Sequence, residues 1–163
     1  MKKVGIVMGI DSDLPIIKKA TDILDGLGIE YEVHVYSAHR TPDDAAKFAM
    51  TARENGFGAI IAAAGKAAHL AGAIAARTTL PCVGIPVKSS NLDGVDALLS
   101  TVQMPSGMPV ATVAIDGAVN AALLCIEILA VSDSTLAEKL DNARAKGQEK
   151  VLAANKRIEE MFN

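Results

Sequence analysis

Two of the three histidines in this 163-residue chain lie in short polar stretches between apolar runs. His39 belongs to Ser37-Ala38-His39-Arg40-Thr41-Pro42, and His69 closes Gly65-Lys66-Ala67-Ala68-His69. An imidazole can take and return a proton under physiological conditions, so a loop histidine is a natural acid-base group. Arg40 offers a planar fork suited to phosphate. In Gly9-Ile10-Asp11-Ser12-Asp13, the Ser12 hydroxyl and a helix start suit phosphate oxygens, and the Asp13 carboxylate suits ribose hydroxyls. The set fits an anionic, hydroxyl-rich ligand such as a phosphoribosyl compound. Plainer roles stay open: helix capping for Ser12 and Asp13, and solvated surface charge for Arg40 and Lys66. His34 alternates with Val33 and Val35 and reads as an exposed strand residue without catalytic work.

The elements that must position these loops follow from periodicity. Short β-type runs at Val4–Met8, Tyr31–Tyr36, Ala59–Ala63, Cys82–Val87 and Val110–Ile115 alternate with helical patterns at Leu14–Leu27, Asp43–Asn55, Ala67–Thr78, Val95–Val102 and Ala118–Ala130. Strands such as Ala59-Ile60-Ile61-Ala62 are apolar on both faces, as in a sheet covered on both sides by helices. Repeated β-α units with right-handed crossovers give a three-layer α/β sandwich around a central parallel sheet, flavodoxin- or Rossmann-like. Thr41-Pro42-Asp43-Asp44 and Ser12-Asp13-Leu14-Pro15 read as helix starts. In such sheets ligands sit beyond the carboxyl ends of the strands, where the polar loops, including Lys88-Ser89-Ser90-Asn91, would gather. Residues 1–163 read as a single domain. Residues 132–163 form a C-terminal helical arm, packed on its own subunit or across a neighbour, with Gly147 weakening its middle.

Composition narrows the function. Sixteen Lys and Arg against 19 Asp and Glu give a net charge of −3, with only 3% aromatic residues and no Trp. That argues against a nucleic-acid binder, which would carry a basic stripe and stacking rings. No uncharged run reaches the ~18 residues of a membrane span, and Val4–Met8 is too short for a signal segment. Cys82 and Cys125 lie apart without metal-type spacing and read as buried free thiols, which fits a cytoplasmic setting. Several nucleotide motifs are missing. No G-x-G-x-x-G follows the first strand, Ile60 and Ala67 spoil a P-loop at Gly65-Lys66, and Ala63 replaces a receiver aspartate.

Four strings of residues together resemble a known family. Met8-Gly9 with Asp11-Ser12-Asp13, Ser37-Ala38-His39-Arg40-Thr41-Pro42, Ala67-Ala68-His69-Leu70, and Val102-Gln103-Met104-Pro105 with Gly107 and Pro109-Val110 are similar to those of the bacterial class I N5-carboxyaminoimidazole ribonucleotide mutases. Asn120-Ala121-Ala122-Leu123-Leu124 also fits, so the likeness runs from about Val4 to Ala130. The resemblance implies an isomerase of de novo purine synthesis. It moves a carboxylate from the exocyclic nitrogen to ring C4 of an aminoimidazole ribonucleotide, with neither cofactor nor metal. It implies His39 as the general acid and base. Ser12, Asp13 and Arg40 would contact phosphate and ribose, with Ile10, Ser37, Gly65, Lys66 and His69 lining the substrate. It also implies a homo-octamer with sites at subunit boundaries.

Three positions depart from that family. Ile10 stands where the family has a serine, Lys66 where it has a glycine, and Ala71 where it has a proline. Ile10 removes a hydroxyl from a loop meant for phosphate, and Lys66 adds bulk and charge where backbone should come close. One reading is a mutase whose Lys66 offsets the lost hydroxyl. The alternative is a diverged paralogue that binds a phosphoribosyl ligand or acts on a different carboxylated ribonucleotide.

Overall fold

The alternation of doubly apolar and amphipathic runs produces a repeating β-α chain path in the computed structural model, which describes residues 2–162. Five strands, β1 (Lys3–Met8), β2 (Tyr31–Val35), β3 (Phe57–Gly65), β4 (Cys82–Val87) and β5 (Ala111–Thr112), form one parallel sheet in the order β2-β1-β3-β4-β5. The helices are α1 (Leu14–Leu27), α2 (Pro42–Thr51), α3 (Leu70–Ala75), α4 (Val95–Val102), α5 (Ala118–Ala130) and α6 (Ser134–Phe162). The chain steps from β1 outward to β2 and then runs back through β3, β4 and β5. Right-handed crossovers therefore put α1 on one face and α2, α3 and α4 on the other. This is the flavodoxin-like three-layer fold expected from the pattern.

The central strands are buried on both faces, and their residues are small or branched. Val7, Ile60, Ala62, Leu70, Ala71 and Ile74 sit in a common core with Phe57, the α2 alanines Ala45 and Ala49, and Ala52 just beyond α2. Alanine-rich faces let helices lie close to the sheet, which keeps packing dense without aromatic bulk. Gly84 shows how close: a Cβ there would lie 2.4 Å from Cγ2 of Thr101. Gly28 ends α1 in the left-handed region at φ 72°, its N–H returning to the Asp25 and Leu24 carbonyls. Cys82 and Cys125 are buried free thiols, and desolvation pushes the Cys82 thiol up to about 12.

Several boundaries differ from the sequence pattern. β5 is only two residues long instead of Val110–Ile115. Gly84 and Pro86 of β4 turn their backbones toward it, accepting from Val113 N and Asp116 N, but Pro86 has no N–H to extend the ladder. Helix α3 starts at Leu70 instead of Ala67, because Lys66 at φ 54° and the His69 N–H to Ala67 O bond shape a turn first, and it stops at Ala75 instead of Thr78. Helix α2 runs Pro42–Thr51, ahead of the turn in which Gly56 N reaches Arg53 O. His34 is half-buried instead of exposed. Its ring stacks on Tyr36 at 5.1 Å and meets Phe48 of α2 at 5.2 Å.

The chain divides into two compact units, the first ending at Leu129 and the second starting at Ala130. The second contains α6, which continues unbroken through Gly147. A mid-helix glycine costs only about 1 kcal/mol against alanine, so the flanking helix formers carry it.

Candidate active site

Parallel strands end on one edge of the sheet, so the loops after β1, β2, β3 and β4 must meet there. They enclose an open cavity of about 570 Å³. The candidate catalytic and substrate-binding residues named from the sequence all line it: Ile10, Ser12, Asp13, Ser37, His39, Arg40, Gly65, Lys66 and His69. Val87 at the end of β4, with Lys88 and Ser89 of the β4–α4 loop, completes the wall.

The β1–α1 loop leaves the sheet with Gly9 N on Ala63 O and forms a 3-10 turn at Asp11–Asp13. The capping role open to Asp13 is not used: Asp13 stands at the N-cap of α1 without a side-chain capping bond. The residue is instead 7% exposed, and Oδ2 is buried with no protein partner. Burial pushes its carboxyl above the usual range, and Asp116 and then Asp11 add to the push. An unpartnered acceptor at a cavity wall is suited to a ligand hydroxyl. Ile10 lines the same wall and is 42% exposed, its apolar side chain turned to a polar space.

The β2–α2 loop is held by Ser37. Its Oγ accepts from His39 N at 3.3 Å and Arg40 N at 3.1 Å, and its own N–H donates to Thr41 Oγ1 at 2.9 Å. Thr41 thus braces the loop and makes no side-chain cap on α2. Ser37 therefore shapes the loop that presents His39 and Arg40. The β3–α3 loop then brings His69 against His39, with His39 Nε2 2.8 Å from His69 Nδ1 and the rings at 83°. Lys66 is exposed, holds a left-handed φ of 54°, and has no ion-pair partner among the described residues.

One participant, Asp116, escaped the sequence reading, and Lys88 entered it only as part of a polar loop. Asp116, also left-handed at φ 57°, accepts from Lys88 N at 2.9 Å and adds to the negative field at Asp13. Its only sequence signal is the Asp116-Gly117 turn pair. Lys88 pairs with Asp93 at 3.1 Å in a loop where Leu92, Asp93 and Gly94 are all left-handed. Among the described residues no group of three or more His, Cys, Asp or Glu could hold a metal ion, and no helix is long and apolar enough to cross a membrane.

A family model described as AIR carboxylase matches residues 3–150. The chain belongs to the AIR carboxylase family. The N5-carboxyaminoimidazole ribonucleotide mutase of Pyrococcus horikoshii is 54% identical over 158 residues, spanning 97% of this chain and 89% of that protein. The protein of that name in Bacillus subtilis is 54% identical over 157 residues, 95% of this chain and 97% of its own length. The crystal structure of Treponema denticola PurE matches with a TM-score of 0.85 at 26% identity, covering 94% of this chain and 96% of that one.

For an AIR carboxylase family member, the chemistry available in this cavity is specific. Arg40 and Lys66 provide positive charge without a competing carboxylate in direct contact. Asp13 provides a desolvated acceptor. His39, hydrogen-bonded to His69, is a group able to carry a proton at the same wall. A sugar phosphate carrying a carboxylated base would meet a cation, an acceptor and an acid-base group together.

Proposed function

We propose that this chain is an N5-carboxyaminoimidazole ribonucleotide mutase, moving a carboxylate from the exocyclic nitrogen to ring C4 in purine synthesis. One observation carries the reading: His39 and Arg40 share one cavity with Ser12 and Asp13, though the two loops that hold them are far apart in sequence. Arg40 and Ser12 hold the phosphate, and Asp13 accepts from a ribose hydroxyl. Ile10, Ser37, Gly65, Lys66 and His69 close around the base. Lys66 meets a substrate carboxylate or phosphate and offsets the hydroxyl that Ile10 lacks.

The reaction balances with one proton carrier. His39 gives a proton to the exocyclic nitrogen as its C–N bond to the carboxylate breaks, releasing CO₂ inside the cavity. The electron-rich C4 attacks that CO₂, forming the new C–C bond. His39 then removes the C4 proton, restoring aromaticity and its own starting state. No electron changes hands, so the scheme calls for no cofactor. The chain acts as one α/β domain with residues 132–163 as a helical arm, within a cytoplasmic homo-octamer. The exposed apolar row of Leu92, Val95, Leu99 and Val102 supports self-assembly.

The test is conversion of N5-carboxyaminoimidazole ribonucleotide to its C4-carboxylated isomer by the purified protein. Turnover is expected, with His39→Asn reducing it by at least ~10²-fold, as loss of a general acid-base group does. Saturable binding with no turnover by the wild-type chain would instead mark a diverged paralogue.

A further inference from the structure

His39 and His69 are joined by a hydrogen bond between Nε2 and Nδ1 at 2.8 Å, across 30 residues of sequence. We infer that His69 is a positioning residue for His39. Its Nδ1 accepts the Nε2–H of His39 and so reserves His39 Nδ1 for proton transfer. The inference rests on the reading of His39 as the acid-base group.

The contact needs exactly one proton between its two nitrogens, since two N–H groups or two lone pairs facing each other would repel. Both possible directions satisfy that count, but only one survives the reaction. Before it gives up its proton, His39 carries N–H at both ring positions, so Nε2 must be the donor and His69 Nδ1 the acceptor. Once His39 has delivered its Nδ1 proton to the substrate nitrogen, the ring is left as the Nε2–H tautomer, and the same hydrogen bond persists unchanged. Recovery of the C4 proton at Nδ1 again leaves it in place. The reverse direction would put His39's only proton on Nδ1, leaving no lone pair there to take the C4 proton.

The surroundings fit this assignment. His39 Nδ1 has no partner among the described residues, and the ring nitrogens of His69 have no described partner other than His39. His69 itself is anchored through its main chain. Its N–H donates to Ala67 O at 2.9 Å, and its carbonyl accepts from Ala73 N at 2.9 Å at the start of α3. From that fixed main chain, with the rings at 83° and 2.8 Å between the two nitrogens, His69 can present its Nδ1 lone pair to its neighbour. No proton passes to His69, so the pairing sets the orientation and tautomer of His39 and adds no second carrier.

Two measurements test it. Long-range ¹⁵N–¹H spectra of histidine-labelled protein are expected to show neutral His39 as the Nε2–H tautomer, with His69→Ala giving a tautomer mixture. In kinetics, His69→Ala is expected to lower kcat by about 10–100-fold, with a smaller rise in KM from the lost contact to the base. His69→Asn, whose side-chain oxygen lies near the Nδ1 position, is expected to recover most of that loss. The assignment is overturned by an Nδ1–H tautomer for His39, by an Asn variant no better than Ala, or by a raised KM with kcat intact. Absence of any wild-type turnover would overturn the functional reading, and the tautomer measurement would still decide the pairing by itself.

Discussion

Replacing Lys66 by glycine is expected to make the protein more stable and worse at binding its substrate. At φ 54°, Lys66 occupies backbone space that a Cβ disfavours by about 1–2 kcal/mol. Glycine removes that cost but loses about 0.5–1 kcal/mol more conformational entropy on folding, which leaves a net gain of roughly 0.5–1 kcal/mol. For a chain of this size, ~1 kcal/mol moves Tm by about 2–4 °C, so a rise of about 1–4 °C is expected. Against this stands the lost ammonium. A hydrogen bond to a charged group contributes about 1.5–3 kcal/mol, and the exposure of Lys66 places it at the lower end. About 1.5 kcal/mol is roughly tenfold in affinity. Thermal unfolding of Lys66→Gly, with KM measured from low to high salt, checks both signs. Because an exposed charge is screened, the gap in KM between wild type and variant should narrow as salt rises. A variant with unchanged KM at low salt would show that the ammonium does not reach the ligand. A lowered Tm would show that the left-handed backbone at this position is not strained.

The remaining predictions concern single side chains. Ile10→Ser returns a hydroxyl to the β1–α1 loop and should tighten substrate binding about tenfold, the scale of one hydrogen bond to a charged group; unchanged or weaker binding would count against this loop's role. Asp13 holds its proton more tightly when folded than at the ordinary 3.8, so its ionisation lowers stability as pH rises through that window. Asp13→Asn is therefore expected to raise Tm at neutral pH, with the gain fading as pH falls toward 3.8, and a gain constant across pH would refute the burial argument. Gly84→Ala forces a Cβ to within 2.4 Å of Thr101 Cγ2 and should cost about 1–3 kcal/mol in denaturant titrations. Removing that methyl with Thr101→Ser in the same chain should recover part of the loss.

Much of this molecule is written in local patterns. The limits of α1, α4, α5 and β4 coincide with the runs read from periodicity and end signals, because those signals act over one turn or one strand. The types of the site residues were equally legible. Ser, Asp, His, Arg and Lys at strand ends have little structural reason to be there in a chain otherwise built from Ala, Ile and Val. Shortening of β5 was less visible, since it depends on a proline in the neighbouring strand. His34 is a similar case, its exposure decided by rings from Tyr36 and Phe48.

The sequence by itself determined the alternation of strands and helices, and hence the edge of the sheet where the polar loops collect. It also determined which chemical groups those loops carry. Tertiary structure alone decided that His69 would face His39 at 2.8 Å, that Asp13 would lose its water and feel Asp116, and that Lys66 would adopt a left-handed backbone. The division has a physical cause. Residue type and periodicity are properties of neighbours along the chain, whereas distance between loops, local dielectric and the sign of a strained φ depend on elements packed together from distant parts of it.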